Sequence, residues 1–308
     1  MINRTIIRLK IVQLMYSYYQ NGGKNMDTAE KELLFSLSKA YDLYHFMLML
    51  MPEVTHFAFE SIEQREQVNR FAHREENISH RFVDNKFVEQ LDVNHQLKEF
   101  RENQKLTWRN HNTYLKNLYA DIQASDAYKE YMEAEEVGYA EDRELWRRLY
   151  KTVIMKDERI DEILEDMSLY WNDDREIVDT FVLKTIKRFD LKRGAKQDLL
   201  PEYKDEEDRE YAVRLFRNAI LNELAYRDLI MQSLRNWEFD RLAFMDVIIM
   251  QVAMAEVMTF PNIPTSVTIN EYVEIAKLYS TGRSGGYING IIDNVVKRLK
   301  AEGKILKE

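Results

Sequence analysis

Three carboxylate–histidine pairs stand one helical turn apart: Asp42 with His45, Glu53 with His56, and Asp92 with His95. Side chains three residues apart share a helix face, and in helical bundles that spacing supplies ligands to di-iron centres. Such a centre needs two further inward carboxylates, and His45 and His56 stand among large apolar residues, which points to packing instead. A Gly-rich phosphate loop after a strand, a nucleophile elbow and zinc-ligand spacing are all missing. The expectation is a non-enzyme without metal or cofactor. The second available chemistry is cationic. Arg4, Arg8 and Lys10 share the first twenty residues with no acid, and residues 281–308 carry Arg283, Lys297, Arg298, Lys300, Lys304 and Lys307 against Asp293, Glu302 and Glu308. Guanidinium and ammonium groups gathered in this way hold phosphates.

The elements that must position these groups are helices. The chain has 308 residues, 45% of them hydrophobic, with only 9 Gly and 4 Pro. Helix formers dominate and turn punctuation is sparse, so the fold class is all-α. The net charge of −9 excludes a general DNA-coating protein, although basic ends on an acidic body can present one cationic face. With no cysteine, disulfides, thiolate metal sites and cysteine nucleophiles are excluded together. Neither a signal peptide nor a membrane-length apolar run is legible, so a cytoplasmic protein is expected.

Helical periodicity runs over 2–20, where Ile6, Ile7, Leu9, Ile11, Leu14, Met15 and Tyr18 recur, and Asn21-Gly22-Gly23 supplies a cap and loop. A second run starts at Asp27, read as an N-cap, and is expected to break at Pro52. Further helices are expected at about 53–70, 83–102, 105–122, 125–136, 139–155, 157–170 and 173–189. The polar stretch 192–201 reads as a linker. Helices follow at about 205–235, 240–258, 267–279 and 285–302, with Thr265 or Ser266 capping the third of these.

Four motifs in this framework carry a resemblance. Residues Ile263 to Lys277, with Val267, Ile269, Asn270, Glu271, Val273, Glu274, Ala276 and Lys277 in order, resemble V-x-I-N-E-x-V-E-x-A-K of the NusB family of transcription antitermination factors. Ser284 and Tyr287-Ile288-Asn289-Gly290-Ile291-Ile292-Asp293 resemble its S-x-x-F-V-N-G-V-L-D, with Tyr for Phe. Residues Asp246 to Glu256 are similar to its R-x-I-L-R-L-A-x-Y-E helix, with Ala255 for the aromatic. Gln13 and Tyr16 match A-x-Q-x-L-Y of its first helix. The resemblance covers about 1–22 and 202–302. It implies a NusB-like helical bundle made of 1–23 and 201–308, with 24–200 as a helical insertion. Helix 2–20 should then pack against the helices of 202–302.

The resemblance also implies a function: binding boxA RNA of ribosomal RNA leaders together with NusE, a small-subunit ribosomal protein, within an RNA polymerase antitermination complex. The family's first helix opens on an arginine-rich run, thinned here to Arg4, Arg8 and Lys10. Lys277, Arg283 and Tyr287 surround the Gly-rich loop near the family's RNA surface, and cations with a stacking ring are what single-stranded RNA requires. Asp246, on an exposed side of the 240–258 helix, is the expected contact for the basic partner. Each motif also has a packing reading: Asn270 and Glu271 in a first helical turn, Val267, Ile269, Val273 and Ala276 as a core stripe, and Asn289-Gly290 as a close helix contact. A partner-binding protein with weak or lost RNA binding is the alternative. The RNA-binding domain of ribosomal RNA cytosine methyltransferases also resembles this family, but those enzymes need a cysteine nucleophile, which is absent.

Overall fold

The computed structural model describes residues 1–23, 25–104, 106–171, 173–234, 242–280 and 284–307. Among them the chain is all-α, and the one β-like feature is an isolated parallel bridge between Ile2 and Tyr203. The first half contains α1 (Arg4–Gln20), α2 (Met26–Phe71), α3 (Lys86–Asp92), α4 (His95–Gln104), α5 (Asn112–Ala124), α6 (Asp126–Glu133) and α7 (Tyr139–Thr152). The second contains α8 (Arg159–Met167), α9 (Arg175–Arg188), α10 (Glu206–Leu221), α11 (Glu223–Met231), α12 (Phe244–Thr259), α13 (Thr265–Tyr279) and α14 (Ser284–Ala301). No described helix is long and apolar enough to cross a membrane.

The chain forms two compact units. A terminal unit comprises Ile2–Ser38 and Glu202–Glu308, and a central unit comprises Met1 and Lys39–Pro201.

The terminal unit is organised around α12, which packs against α1, α10, α11, α13 and α14. Every residue from Asp246 to Val257 is buried, as expected of a helix that is apolar on all sides. Helix α1 is capped by Asn3, whose side chain accepts from Ile6 N–H at 3.0 Å, and it docks on α10, α12 and α13. Gly22 and Gly23 leave it with φ of 82° and 62°, a conformation that glycine adopts without steric cost. The start of α2 is capped by Asn25, which accepts from Thr28 N–H at 2.9 Å, rather than by Asp27. Arg217 of α10 then holds this start through Glu30 and Asp27.

The central unit is built on α2 and α7, with α7 against α3, α6 and α9. Helix α2 runs through Pro52 without ending, contrary to the expected break. Proline costs a helix interior about 3 kcal/mol. Phe46, Met47, Leu48, Met49, Leu50, Met51 and Val54 around it are all fully buried, and each such burial returns about 1.5–3 kcal/mol. Trp108, Trp146 and Trp171 are core residues. Trp108 stacks on Phe46 at 4.3 Å and donates to its carbonyl at 2.8 Å, and Trp171 donates to the Lys39 carbonyl at 2.8 Å. His45 bonds the Tyr41 carbonyl at 2.9 Å and stacks on Phe100, and burial lowers its pKa. His56 faces Asp92 at 3.4 Å. Among the described residues no three His, Cys, Asp or Glu side chains are grouped to hold a metal.

Candidate nucleic-acid and partner surface

The expected RNA residues of α1 do not share one exposed edge. Arg8 is 3% exposed. Its Nε and Nη2 donate to Glu256 Oε2 and Oε1 at 2.7 and 3.1 Å, and its Nη1 lies 3.2 Å from Glu271 Oε2. The Glu256 carboxylate also accepts from Thr268 Oγ1 at 2.7 Å and from the hydroxyls of Tyr211 and Tyr272. One buried carboxylate thereby gathers donors from α1, α10 and α13. Burial alone would raise the Glu256 pKa, but Arg8, Tyr211 and Thr268 outweigh it and hold the carboxyl below its usual value. Charge-assisted bonds to a buried carboxylate favour its ionised form in this way.

This cluster was missed from the sequence, although a signal existed. Glu256 is the one charged residue in the run Val247–Val257, which is otherwise apolar except for Gln251, and a charge inside such a helix must find a partner. Nothing local names that partner, because Arg8 lies 248 residues away.

Lys10 is likewise buried. Arg4 remains at the surface but is engaged: Nη2 donates to Glu207 at 2.6 Å, Nε to Asp208 at 3.3 Å, and its guanidinium lies 4.9 Å over the Tyr211 ring. Asp246, expected on an exposed face, is only 1% exposed, and its Oδ2 accepts from Ser284 Oγ at 3.2 Å. There it meets the N-terminal end of α14, where a carboxylate is favoured by the unpaired N–H groups. From Asp246 to Val257 the helix is buried on every side, so no exposed side exists there to carry it.

The motif on α13 is also turned from the expected orientation. The buried positions are Thr265, Thr268, Tyr272, Ile275 and Ala276, so Ala276 alone of the expected stripe lies inside. Val267 is 41% and Leu278 61% exposed, while Ile269 and Val273 are half-buried. Asn270, Glu274 and Lys277 are exposed. Spacings of three and four put Val267, Asn270, Glu274 and Leu278 on one outer stripe. Helix α13 begins at Thr265 after Pro264, without a side-chain cap. Glu271 is tied down by Arg8 and by Thr5, whose Oγ1 donates at 3.0 Å.

Beside this stripe α14 packs along α13. Gly290 is exposed and a Cβ there would meet nothing within 4 Å, so it is not a close helix contact. Gly285 is the nearer approach, with Val273 Cγ1 and Lys277 Cγ 3.7 and 3.8 Å from a Cβ built on it. The stem of Lys277 therefore lies against the start of α14, while its Nζ pairs with Glu274 at 2.5 Å. Tyr287 is half-buried, and Arg283 lies outside the described residues. The structure thus brings Lys277 and the first turn of α14 together and removes Arg8, Lys10 and Asp246 to the interior.

A family model described as the NusB family matches residues 177–297. The transcription antitermination protein NusB of Salinibacter ruber is 34% identical over 108 residues, spanning 35% of this chain and 68% of that protein. Its counterpart from Natranaerobius thermophilus is 37% identical over 106 residues, spanning 33% of this chain and 76% of that protein. A solved structure of T. maritima NusB is 30% identical and covers 51% of this chain and 95% of its own, at a TM-score of 0.31. The family model spans the motifs of α12, α13 and α14, more than two thirds of each of these antitermination proteins is matched at over 30% identity, and the chain belongs to the NusB family.

Proposed function

We propose that this chain is a non-catalytic transcription antitermination factor whose terminal unit pairs with NusE and, with it, binds boxA RNA of ribosomal RNA leaders within an RNA polymerase antitermination complex. In this reading residues 1–23 and 201–308 form the family core and 24–200 are an insertion. The observation that carries it is the outer stripe of α13. Asn270, Glu274 and Lys277 match the family signature yet are exposed, and core packing is done by their neighbours Thr268, Tyr272 and Ile275. Packing therefore does not explain these residue types, whereas recognition does. In this reading Lys277 and Tyr287 serve the RNA, and Arg4 and Arg283 are further candidate contacts. Val267, Glu274 and Leu278 offer the apolar and acidic groups that suit a basic ribosomal protein.

The test is co-purification with NusE from the same source, followed by titration with boxA RNA and a scrambled RNA. Selective binding by the pair, weakened in Lys277→Glu with NusE retained, supports the reading. A chain that takes neither NusE nor RNA overturns it. The burial of Arg8 and Lys10 favours a second reading, a partner-binding protein with weak or lost RNA affinity. NusE binding without any preference for boxA in the same titration supports that one.

A further inference from the structure

The central unit contains a groove that the antitermination reading does not use. It lies between α6 and α7, has a volume of about 460 Å³, and has Ala127, Ala134, Ala140, Tyr131, Val137 and Leu145 on its walls. Three of these are alanines, so the methyl-sized walls leave the space between the two helices open. A cavity of about 150 Å³ holds a benzene ring, so this one takes two or three bulky apolar side chains.

Its rim is acidic. Glu130, Glu141 and Glu144 line it beside Arg148, and Glu133 at the end of α6 and Glu135 and Glu136 on the connection to α7 stand exposed. Residues 126–148 hold eight acids against four bases. The stretch keeps a net charge of −4 even with all four bases counted, and three of those bases are already engaged. Arg148 pairs with Glu130 at 2.6 Å, Arg147 pairs with Glu144, and Arg143 donates to the Phe189 carbonyl at 2.6 Å. Glu141 Oε2 accepts from Gly138 N–H at 2.9 Å, which fixes the bend into α7 and keeps a carboxylate at the mouth. The groove is rigid on its inner side: Tyr131 donates to Asp142 at 2.6 Å, and Asp142 accepts from Lys86 N–H at 2.8 Å.

Apolar walls with an acidic rim select one chemistry. A nucleic acid is repelled by the rim, and an acidic or neutral peptide gains nothing from it. We propose that the α6–α7 groove docks a Lys/Arg-rich protein segment that inserts apolar side chains between the helices, giving the central unit a protein partner of its own. Apolar burial holds the segment and the rim steers and orients it.

The experiment uses the full chain and two synthetic 16-residue peptides, one of alternating Lys and Leu blocks with a helical apolar face, the other with Ser replacing every Leu, each followed by fluorescence anisotropy. The Leu peptide should bind in a salt-sensitive manner and the Ser peptide at least about tenfold more weakly, the loss expected from one or two unburied apolar side chains. Ala140→Trp fills the groove from an exposed position and should cost about tenfold or more. Should that variant fail to fold by circular dichroism, Ala140→Leu gives a smaller loss in the same direction. Glu133→Lys with Glu136→Lys should weaken binding mainly at low salt. The proposal is overturned if the Leu peptide does not bind, if the Ser peptide binds equally well, or if a folded groove-filling variant binds as the parent does.

Discussion

Arg8 and Glu256 form a buried two-bond ion pair across 248 residues of sequence, with nitrogen–oxygen distances of 2.7 and 3.1 Å. The pair turns a candidate RNA contact into an anchor for the first helix. Removing one member of a buried pair strands the other's charge, at a cost of about 3–5 kcal/mol. Arg8→Ala and Glu256→Ala should each lower the unfolding free energy by that order, and the Arg8→Met, Glu256→Leu double variant should recover much of it. Urea unfolding checks this. An Arg8→Ala chain of unchanged stability but reduced boxA affinity would return Arg8 to the RNA surface.

Asp246→Lys is expected to unfold or strongly destabilise the terminal unit, because it places a cation beside the N-terminal end of α14 with no water to solvate it. Asp246→Asn should be much milder, since the amide oxygen still accepts from Ser284. Thermal melts of the two variants, compared with NusE binding by those that fold, separate this from a direct partner contact.

Gly290 sits mid-helix in open space, so Gly290→Ala should stabilise α14 by about 0.5–1 kcal/mol. Stability should rise without loss of helix content in circular dichroism. A destabilised variant would mean that the glycine is needed for packing after all.

The central unit should carry an acid-side pH dependence. Burial pushes the Asp179 carboxyl up to about 6 from an ordinary 3.8, with Tyr150 OH and Arg175 opposing that rise only in part. Between those values the folded chain holds a proton that the unfolded chain has lost. The contribution of this group therefore falls as pH rises from about 4 to 6, and it stays low above that. Asp179→Asn should flatten this segment of a melting-temperature profile. A profile unchanged by the substitution would exclude Asp179 as its source.

Lys277→Glu should weaken RNA binding by the NusE pair and reduce the magnitude of its salt slope by about 0.7 for the one phosphate contact removed. Helix content should stay as in the parent, since Lys277 is exposed. Anisotropy titrations across a salt series read both quantities.

Which side of a helix faces inward was the least legible part of the sequence. The helices themselves were largely readable, because apolar periodicity and caps such as Asn3 are local properties. Pro52 was misleading since its cost is local while the offsetting burial is tertiary. On α13 the apolar letters Val267 and Ile269 suggested a core stripe, yet Thr268 is buried because its hydroxyl has Glu256 to bond. The roles of Arg8 and Asp246 hinged on partners 248 and 38 residues distant, and no short-range pattern encodes such a pairing. The motifs of α12 to α14 revealed the family through order and spacing, which need no knowledge of orientation.

The carboxylate of Glu256 also sets a timetable. Helix α1 is synthesised well ahead of its partners, since its buried residues Ile6, Ile7, Leu9, Ile11 and Val12 pack on α10, α12 and α13. At about 5–20 residues per second of synthesis, the 248 residues separating Arg8 from Glu256 occupy roughly 12–50 s. For that interval the nascent helix presents apolar surface with nowhere to dock, while Lys39–Pro201 emerges and can collapse on its own. Docking of α1 therefore waits for α12 to be made, whereas the contacts within Lys39–Pro201 can close earlier.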